Sequence, residues 1–318
     1  MKLNNNYLLF FLALLPLCSC SDNGGEHTPD MEQVPIELHA TGEGLTAGTK
    51  AGGTGVLFPA TVFATTRQGV YTGFTGKYEW QKDADVKKDL TVSLADAYYP
   101  ETGDWIYLVA VSPAVQGTPL NGTVSYQLDG QTDLLYAGEI KGNRWDGSRF
   151  VGNTVGAGTD TPLAFSHLLT RLVFKAVKKT AVGLKVGIRS ITVKSVKNAV
   201  SFPLTTGKTS YNGDASLALT LTTGGNTNGK EVGGTAPVEL GNLLLPPLDT
   251  GEDAYKITVE TSVGTFTDIP LVFVNTNAEL FQPGHSHEIT LTITDQELTV
   301  TSVTVVPWTT TNQGDLDL

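Results

Sequence analysis

The sequence predicts an all-β protein of sandwich class, built as two units behind an N-terminal export segment. Period-two alternation supports this in several stretches, as in Leu217, Leu219 and Leu221, and in Ile289, Leu291 and Ile293 set against Thr290, Thr292 and Thr294. Side chains alternate across a strand, so such a pattern buries one face. Turn dipeptides recur at Asn121-Gly122, Asp129-Gly130, Asp146-Gly147 and Asn212-Gly213, where residues that tolerate positive φ let the chain reverse. Composition agrees: 318 residues hold 35 glycines, abundant threonine and only 2 methionines, a mixture suited to short strands and tight turns.

The elements follow in chain order. Lys2 precedes an apolar run from Tyr7 to Leu17. Crossing a hydrocarbon layer of about 30 Å takes roughly 20 apolar residues, so this shorter run reads as a secretory signal. Leu17-Cys18-Ser19-Cys20 closes it in the pattern of a bacterial lipoprotein signal, with small Ser19 directly before Cys20. Cleavage there removes residues 1–19 and leaves a Cys20 thiol able to carry a diacylglycerol. Cys18, preceded by bulky Leu17, is the poorer acceptor. An exported chain attached to the membrane by its acyl groups is expected. Residues 20–33 are polar, with Asn23-Gly24-Gly25 and Pro29, and read as a flexible tether.

Both cysteines lie in this leader, which excludes structural disulfides, a thiolate zinc site, a Cys nucleophile and CxxC redox chemistry from the folded part. Its stability must come from its core. The chain carries 32 acidic and 21 basic residues, a net charge of −11, and loss of Lys2 makes it more acidic. Such a surface repels nucleic acid, and no basic cluster with interleaved aromatics offsets it.

Two apolar patterns slip in phase. Val186 and Ile188 give way to Ile191 and Val193, and Leu298 and Val300 to Val303 and Val305; a β-bulge or a strand passing between sheets produces such a slip. Phe165, Leu168, Leu169 and Leu172 fall at helical spacing after Pro162, before Leu172, Phe174 and Ala176 alternate. This predicts a helical turn feeding a strand. The boundary is placed near Lys178-Lys179-Thr180, giving units 34–178 and 179–318.

Few residues point to chemistry. His285 and His287 share a strand face, a spacing that can hold a metal, yet no Cys, HExxH or nearby carboxylate pair completes a site. They are expected to be surface histidines at the start of a strand. His167 and Arg171 are read as a packed, hydrogen-bonded pair at the domain junction. No GxSxG elbow, P-loop or GxGxxG pattern occurs. The glycine-rich stretch 152–158 lacks the P-loop Lys, and Asp83 with Asp85, like Asp315 with Asp317, lacks the further ligands of a calcium loop. No enzymatic activity, cofactor or metal is expected. Tyr78 and Trp80 share a strand face, and Trp105 and Trp145 lie in the same unit. Exposed, they could stack on sugar rings; burial in the core is the more ordinary fate.

Several pieces in order resemble the Mfa-like (fimbrillin A-type) fimbrial subunits of Bacteroidia. They begin with the signal ending at Cys20 and with Thr49-Lys50-Ala51 ahead of the apolar Val56–Ala64 segment. Ala97-Tyr98-Tyr99-Pro100, Val109-Ala110-Val111-Ser112-Pro113 and Asp133-Leu134-Leu135-Tyr136-Ala137 follow. The most specific piece is Leu163-Ala164-Phe165-Ser166-His167-Leu168-Leu169-Thr170-Arg171-Leu172-Val173-Phe174. Leu243-Leu244-Leu245-Pro246-Pro247 and Phe281-Gln282-Pro283-Gly284 complete the set.

The resemblance implies two tandem transthyretin-like β-sandwich domains and a precursor held at the outer membrane by acylated Cys20. A trypsin-like protease then removes the anchor and first strand together, and a strand from another fimbrial subunit fills the opened groove. This is β-augmentation, with main-chain hydrogen bonds supplying affinity and alternate side chains supplying register. Here Val34 to Ala40 corresponds to the removable strand, with Ile36, Leu38 and Ala40 on one face. Lys50 follows a glycine-bearing loop and stands where arginine is commoner, so cleavage between Lys50 and Ala51 is expected. Arg67 is a poorer site, because cutting there would also delete the Val56–Ala64 strand. Val300 to Val306 could serve as the donor. A tip subunit needs no donor and an anchor keeps its lipid and first strand, so all three positions in a fimbria fit the sequence. The alternative is a monomeric surface lipoprotein that binds glycans.

Overall fold

The computed structural model describes residues 33–45, 55–150, 162–180, 183, 185–222, 225–248, 253–271, 281–294 and 297–308. Cys20, Lys50 and Ala51 lie outside them, as do residues 20–32 of the tether, the 152–158 stretch, and Asp315 with Asp317. Among the described residues the chain is all strand and loop.

Eight strands precede residue 168: β1 (Leu38–Gly42), β2 (Val56–Thr65), β3 (Trp80–Lys87), β4 (Thr91–Ser93), β5 (Ile106–Ser112), β6 (Thr123–Gln127), β7 (Leu135–Gly142) and β8 (Leu163–His167). Seven of them form a closed barrel in the order β1-β4-β3-β2-β5-β7-β8. Its interior holds Ala60, Val62, Val86, Leu108, Ala110, Leu163 and Phe165. On β2 and β5 the other face is buried as well, because Phe63, Val109 and Val111 join a second core. Burial on both sides explains why these two strands read as almost continuous apolar runs.

The later strands are β9 (Thr170–Lys178), β10 (Val186–Val196), β11 (Ala199–Pro203), β12 (Ser210–Asn212), β13 (Ala215–Thr220), β14 (Lys230–Val232), β15 (Val238–Leu245), β16 (Lys256–Thr261), β17 (Thr265–Pro270), β18 (Ser286–Ile293) and β19 (Leu298–Val306). One sheet runs β13-β10-β16-β17, with β14 also on β10, and another runs β15-β9-β18-β19. Their apolar faces share the second core, in which Ile188, Ile191, Val193, Val259, Leu172, Phe174, Ile289 and Leu291 are fully enclosed. This is a β-sandwich. A third sheet, β12-β11-β6, takes β6 from the early part of the chain and pairs it with β11. Both phase slips are β-bulges. The β10–β16 register shifts between Ile188 and Ser190, and the β18–β19 register shifts opposite Ser302 and Val300.

The helical turn expected around Phe165 is absent, and the reason is instructive. Leu163, Phe165 and His167 are buried on one face of β8 while Ala164 and Ser166 are exposed. Leu163 and Phe165 belong to the barrel core, whereas Leu169, Leu172, Phe174 and Ala176 belong to the second core. The chain changes cores between His167 and Leu169, and a strand that slips phase there imitates helical spacing. β9, which the sequence reading assigns to the end of the first unit, pairs antiparallel with β15 and parallel with β18.

Candidate functional site

Short β1 is the strand that closes the barrel, and it does so by changing partners along its length. Leu38 and His39 pair antiparallel with Val92 and Thr91 of β4. Ala40, Thr41 and Gly42 then pair parallel with Leu163, Ala164 and Phe165 of β8. The hydrogen bonding continues outside the strand: Ile36 N–H donates to the Ala97 carbonyl (2.8 Å), Tyr99 N–H to that of Val34 (3.0 Å) and Ala40 N–H to that of Leu90 (2.8 Å). Ile36, Leu38 and Ala40 are all buried in the barrel core, as their alternation predicts. Fully burying a Leu or Ile side chain stabilises by roughly 1.5–3 kcal/mol, so this pair holds the strand by at most about 6 kcal/mol before backbone bonds are added. At Gly42 a Cβ would sit 2.5 Å from the Phe165 carbonyl oxygen, so only glycine lets β1 lie this close to β8.

Where β1 ends, three distant parts of the chain meet on His167. Its Nδ1 lies 2.6 Å from Asp133 Oδ2, and its Nε2 lies 3.1 Å from the carbonyl oxygen of Glu43. Both partners can only accept, so each bond forms when the ring nitrogen facing it carries the hydrogen. Asp133 is itself fixed, accepting the N–H of Leu134 at 2.8 Å on its Oδ1. The indole of Trp308 stacks on the imidazole at 4.0 Å with 25° between the planes. Gly44 fits beneath it with φ of 72°, where a Cβ would lie 2.5 Å from the Trp308 carbonyl oxygen. The exit of β1, the end of β8 and the residue two beyond β19 are thereby tied together. Sequence reading singled out His167 but gave it Arg171 as partner. The structure supplies Asp133, which also opposes the burial that lowers the pKa of Arg171. Asp133 and Trp308 carry no local signature, because each becomes a partner only through contacts across more than thirty residues.

Other flagged residues fall elsewhere. His287 is not on the surface: it is fully buried, with Phe281 edge-on at 4.8 Å. Burial, and then the nearby His285, pull its pKa down to about 4. Asp83 accepts a hydrogen bond from Thr61 Oγ1 at 3.1 Å. Among the described residues no group of three His, Cys, Asp or Glu is placed to hold a metal. Two tryptophans of the barrel stand outside its core, Trp105 at 39% and Trp145 at 58% exposed, whereas half-buried Trp80 packs against the core's edge.

No curated protein matches the chain significantly. A crystal structure of a candidate cell adhesion protein from Bacteroides uniformis superimposes with a TM-score of 0.56 at 15% identity, covering 86% of this chain and 99% of that one. A second such protein, from Bacteroides ovatus, gives 0.56 at 16%, covering 88% and 100%. At these identities the likeness is one of fold. The sequence match is to the fimbrillin-like family, and it spans residues 61–308. That span takes in the greater part of both cores and ends at the indole stacked on His167, so the chain belongs to the fimbrillin-like family.

Proposed function

We propose that this chain is a structural or accessory subunit of a cell-surface fimbria, without enzymatic activity, that assembles by exchanging its first strand. It is exported as a lipoprotein precursor held at the outer membrane through Cys20. A trypsin-like protease cuts after Lys50, and β1 leaves with the anchor. A strand of another subunit then takes its place.

The observation that carries this reading is the double pairing of β1 with β4 and β8. Removal of residues 1–50 would open the barrel along one seam. It would leave two unpaired edges flanking an apolar floor that includes Leu108, Ala110 and Leu163. Such a slot binds an extended segment with alternating apolar residues. β19 is a natural source, being an edge strand that, among the described residues, pairs with β18 alone. Its C-terminal end is held by Trp308; Gly44, which lies against that indole, and Glu43, which bonds the His167 ring stacked on it, depart with β1. Opening the acceptor slot thus loosens the donor.

Limited trypsin digestion of the folded, signal-less chain, with N-terminal sequencing and sizing, tests the proposal. The expected product begins at Ala51 and shifts to higher oligomers. Resistance at Lys50 with a monomer throughout would overturn it.

A further inference from the structure

The barrel has two ends, and strand register assigns the aromatic residues to one of them. Ser112 and Leu135 pair, and Leu135 pairs with His167, which fixes the end from which the chain leaves for the sandwich. At the opposite end Ala64 faces Trp80, Thr65 faces Tyr107, and Ile106 faces Gly142. Trp80, Trp105 and Trp145 therefore gather at this far end, three of the four tryptophans in the chain.

A cleft of about 200 Å³ opens there, lined by Lys77, Tyr78, Trp80, Asp96, Tyr98 and Glu101 among others. Its walls are held in place rather than loosely arrayed. Lys77 Nζ pairs with Glu101 Oε1 at 2.9 Å, and the Glu101 N–H donates to the Tyr78 hydroxyl at 3.2 Å. Lys82 donates from Nζ to the carbonyls of Ala95 and Asp96 at 2.9 and 2.8 Å, and lies 5.6 Å from the centre of the Trp80 ring. Asp96 is held at φ of 51°, a conformation uncommon outside glycine and found where the surroundings impose it. Arg144 Nη1 donates to the Glu101 carbonyl at 2.7 Å and joins the Trp145 loop to the cleft.

We infer that this end of the barrel is a binding site for a neutral glycan. A sugar ring presents apolar C–H faces and a hydroxyl edge, which suits aromatic platforms interrupted by carboxylates and an ammonium. Drug-sized ligands occupy roughly 300–1,000 Å³, so a cleft of this size takes a single ring, with neighbouring units lying over Trp105 and Trp145. Two carboxylates stand against one lysine in the lining, which disfavours uronate and sialate units. Gln33 and Tyr99 also line the cleft, and Tyr99 donates its N–H to the Val34 carbonyl, so the cleft adjoins the segment removed in strand exchange. Binding is therefore read on the uncut chain, where it can fail or succeed whatever becomes of Lys50.

The test is affinity electrophoresis of the signal-less, uncut chain in gels holding α-mannan, mixed-linkage β-glucan or pectic galactan. Retardation in at least one gel is expected, weakened roughly tenfold by Trp80→Ala and less by Trp145→Ala, as for truncation of an aromatic anchor and its neighbour. Trp80→Phe should restore most of it, and Val263→Ala, at an exposed apolar site in the sandwich, should leave it unchanged. Absence of retardation in all three gels would overturn the inference. So would retardation indifferent to both tryptophans, or self-association that the same substitutions abolish.

Discussion

The two ends of the barrel use the same residue type in opposite ways. At the His167 end, Trp308 is 5% exposed and stacked on an imidazole. At the far end, Trp145 is 58% exposed and lies beside Arg144, whose guanidinium is 5.5 Å from its ring centre. An indole buried where three segments meet contributes to holding them; an indole presented by a loop contributes almost nothing to folding. The difference separates a part of the molecule that must stay shut from a part that is free to display.

The largest expected effect lies on the shut side. Leu38→Asp sets a carboxylate into the barrel core, at a position 2% exposed in the uncut chain. Loss of about 4 kcal/mol or more is expected in urea unfolding of the uncut chain. Ile36→Asp should act in the same direction. After cleavage at Lys50 and release of the strand, both variants should match the parent. Equal damage to cut and uncut protein would show that β1 is an ordinary core strand.

Next comes Trp308→Ala, expected to cost about 3 kcal/mol as a buried aromatic truncation. Its sharper signature is local: amide exchange should accelerate across β19 and at Gly42 to Leu45 together. Acceleration of β19 alone would mean that the His167 contacts do not couple the two segments. Trp145→Ala, its counterpart at the open end, should change stability by less than about 0.5 kcal/mol.

His287 gives the shut side a pH dependence. Its pKa stands at about 4 in the folded chain against an ordinary 6.5, because burial and then His285 disfavour the charged ring. Above pH 6.5 both states are neutral and the residue contributes nothing to the slope. As pH falls from 6.5 towards 4, the unfolded chain takes up a proton that the folded chain refuses, so stability falls by about 2–3 kcal/mol. His287→Leu should flatten the urea midpoint over that range. An unchanged slope would assign the acid sensitivity to other groups.

Legibility in the sequence follows the range of the interactions. Ile36, Leu38 and Ala40 were readable as one buried face because a strand's alternation is local. The bulges in β10 and β19 were readable as phase slips for the same reason. Phe165 to Leu172 misled because two cores claim successive residues of one extended segment, and sequence carries no mark of which core a residue faces. Asp133 and Trp308 were hidden by separation along the chain. His287 was misplaced because a polar residue at a strand's start gives no sign that Phe281 will fold over it. The exposure of Trp105 and Trp145 was equally hidden, since composition favours burying an indole and only the loop geometry turns these outward.

The last comparison concerns how the open end holds its display. Gly103 has φ of 82°, and a Cβ there would lie 2.5 Å from Trp145 Nε1. Gly103→Ala therefore strains the turn and pushes the indole off its seat, for a stability loss of about 1 kcal/mol. Trp145→Ala removes the indole and leaves the turn relaxed. If the open end is preorganised, Gly103→Ala should weaken polysaccharide retention nearly as much as Trp145→Ala, although it deletes no aromatic surface. Trp145→Ala added to Gly103→Ala should then recover part of the lost stability, because the clash is relieved. Retention untouched by Gly103→Ala would mean that the indole finds its ligand from any position, and that the turn merely tolerates it.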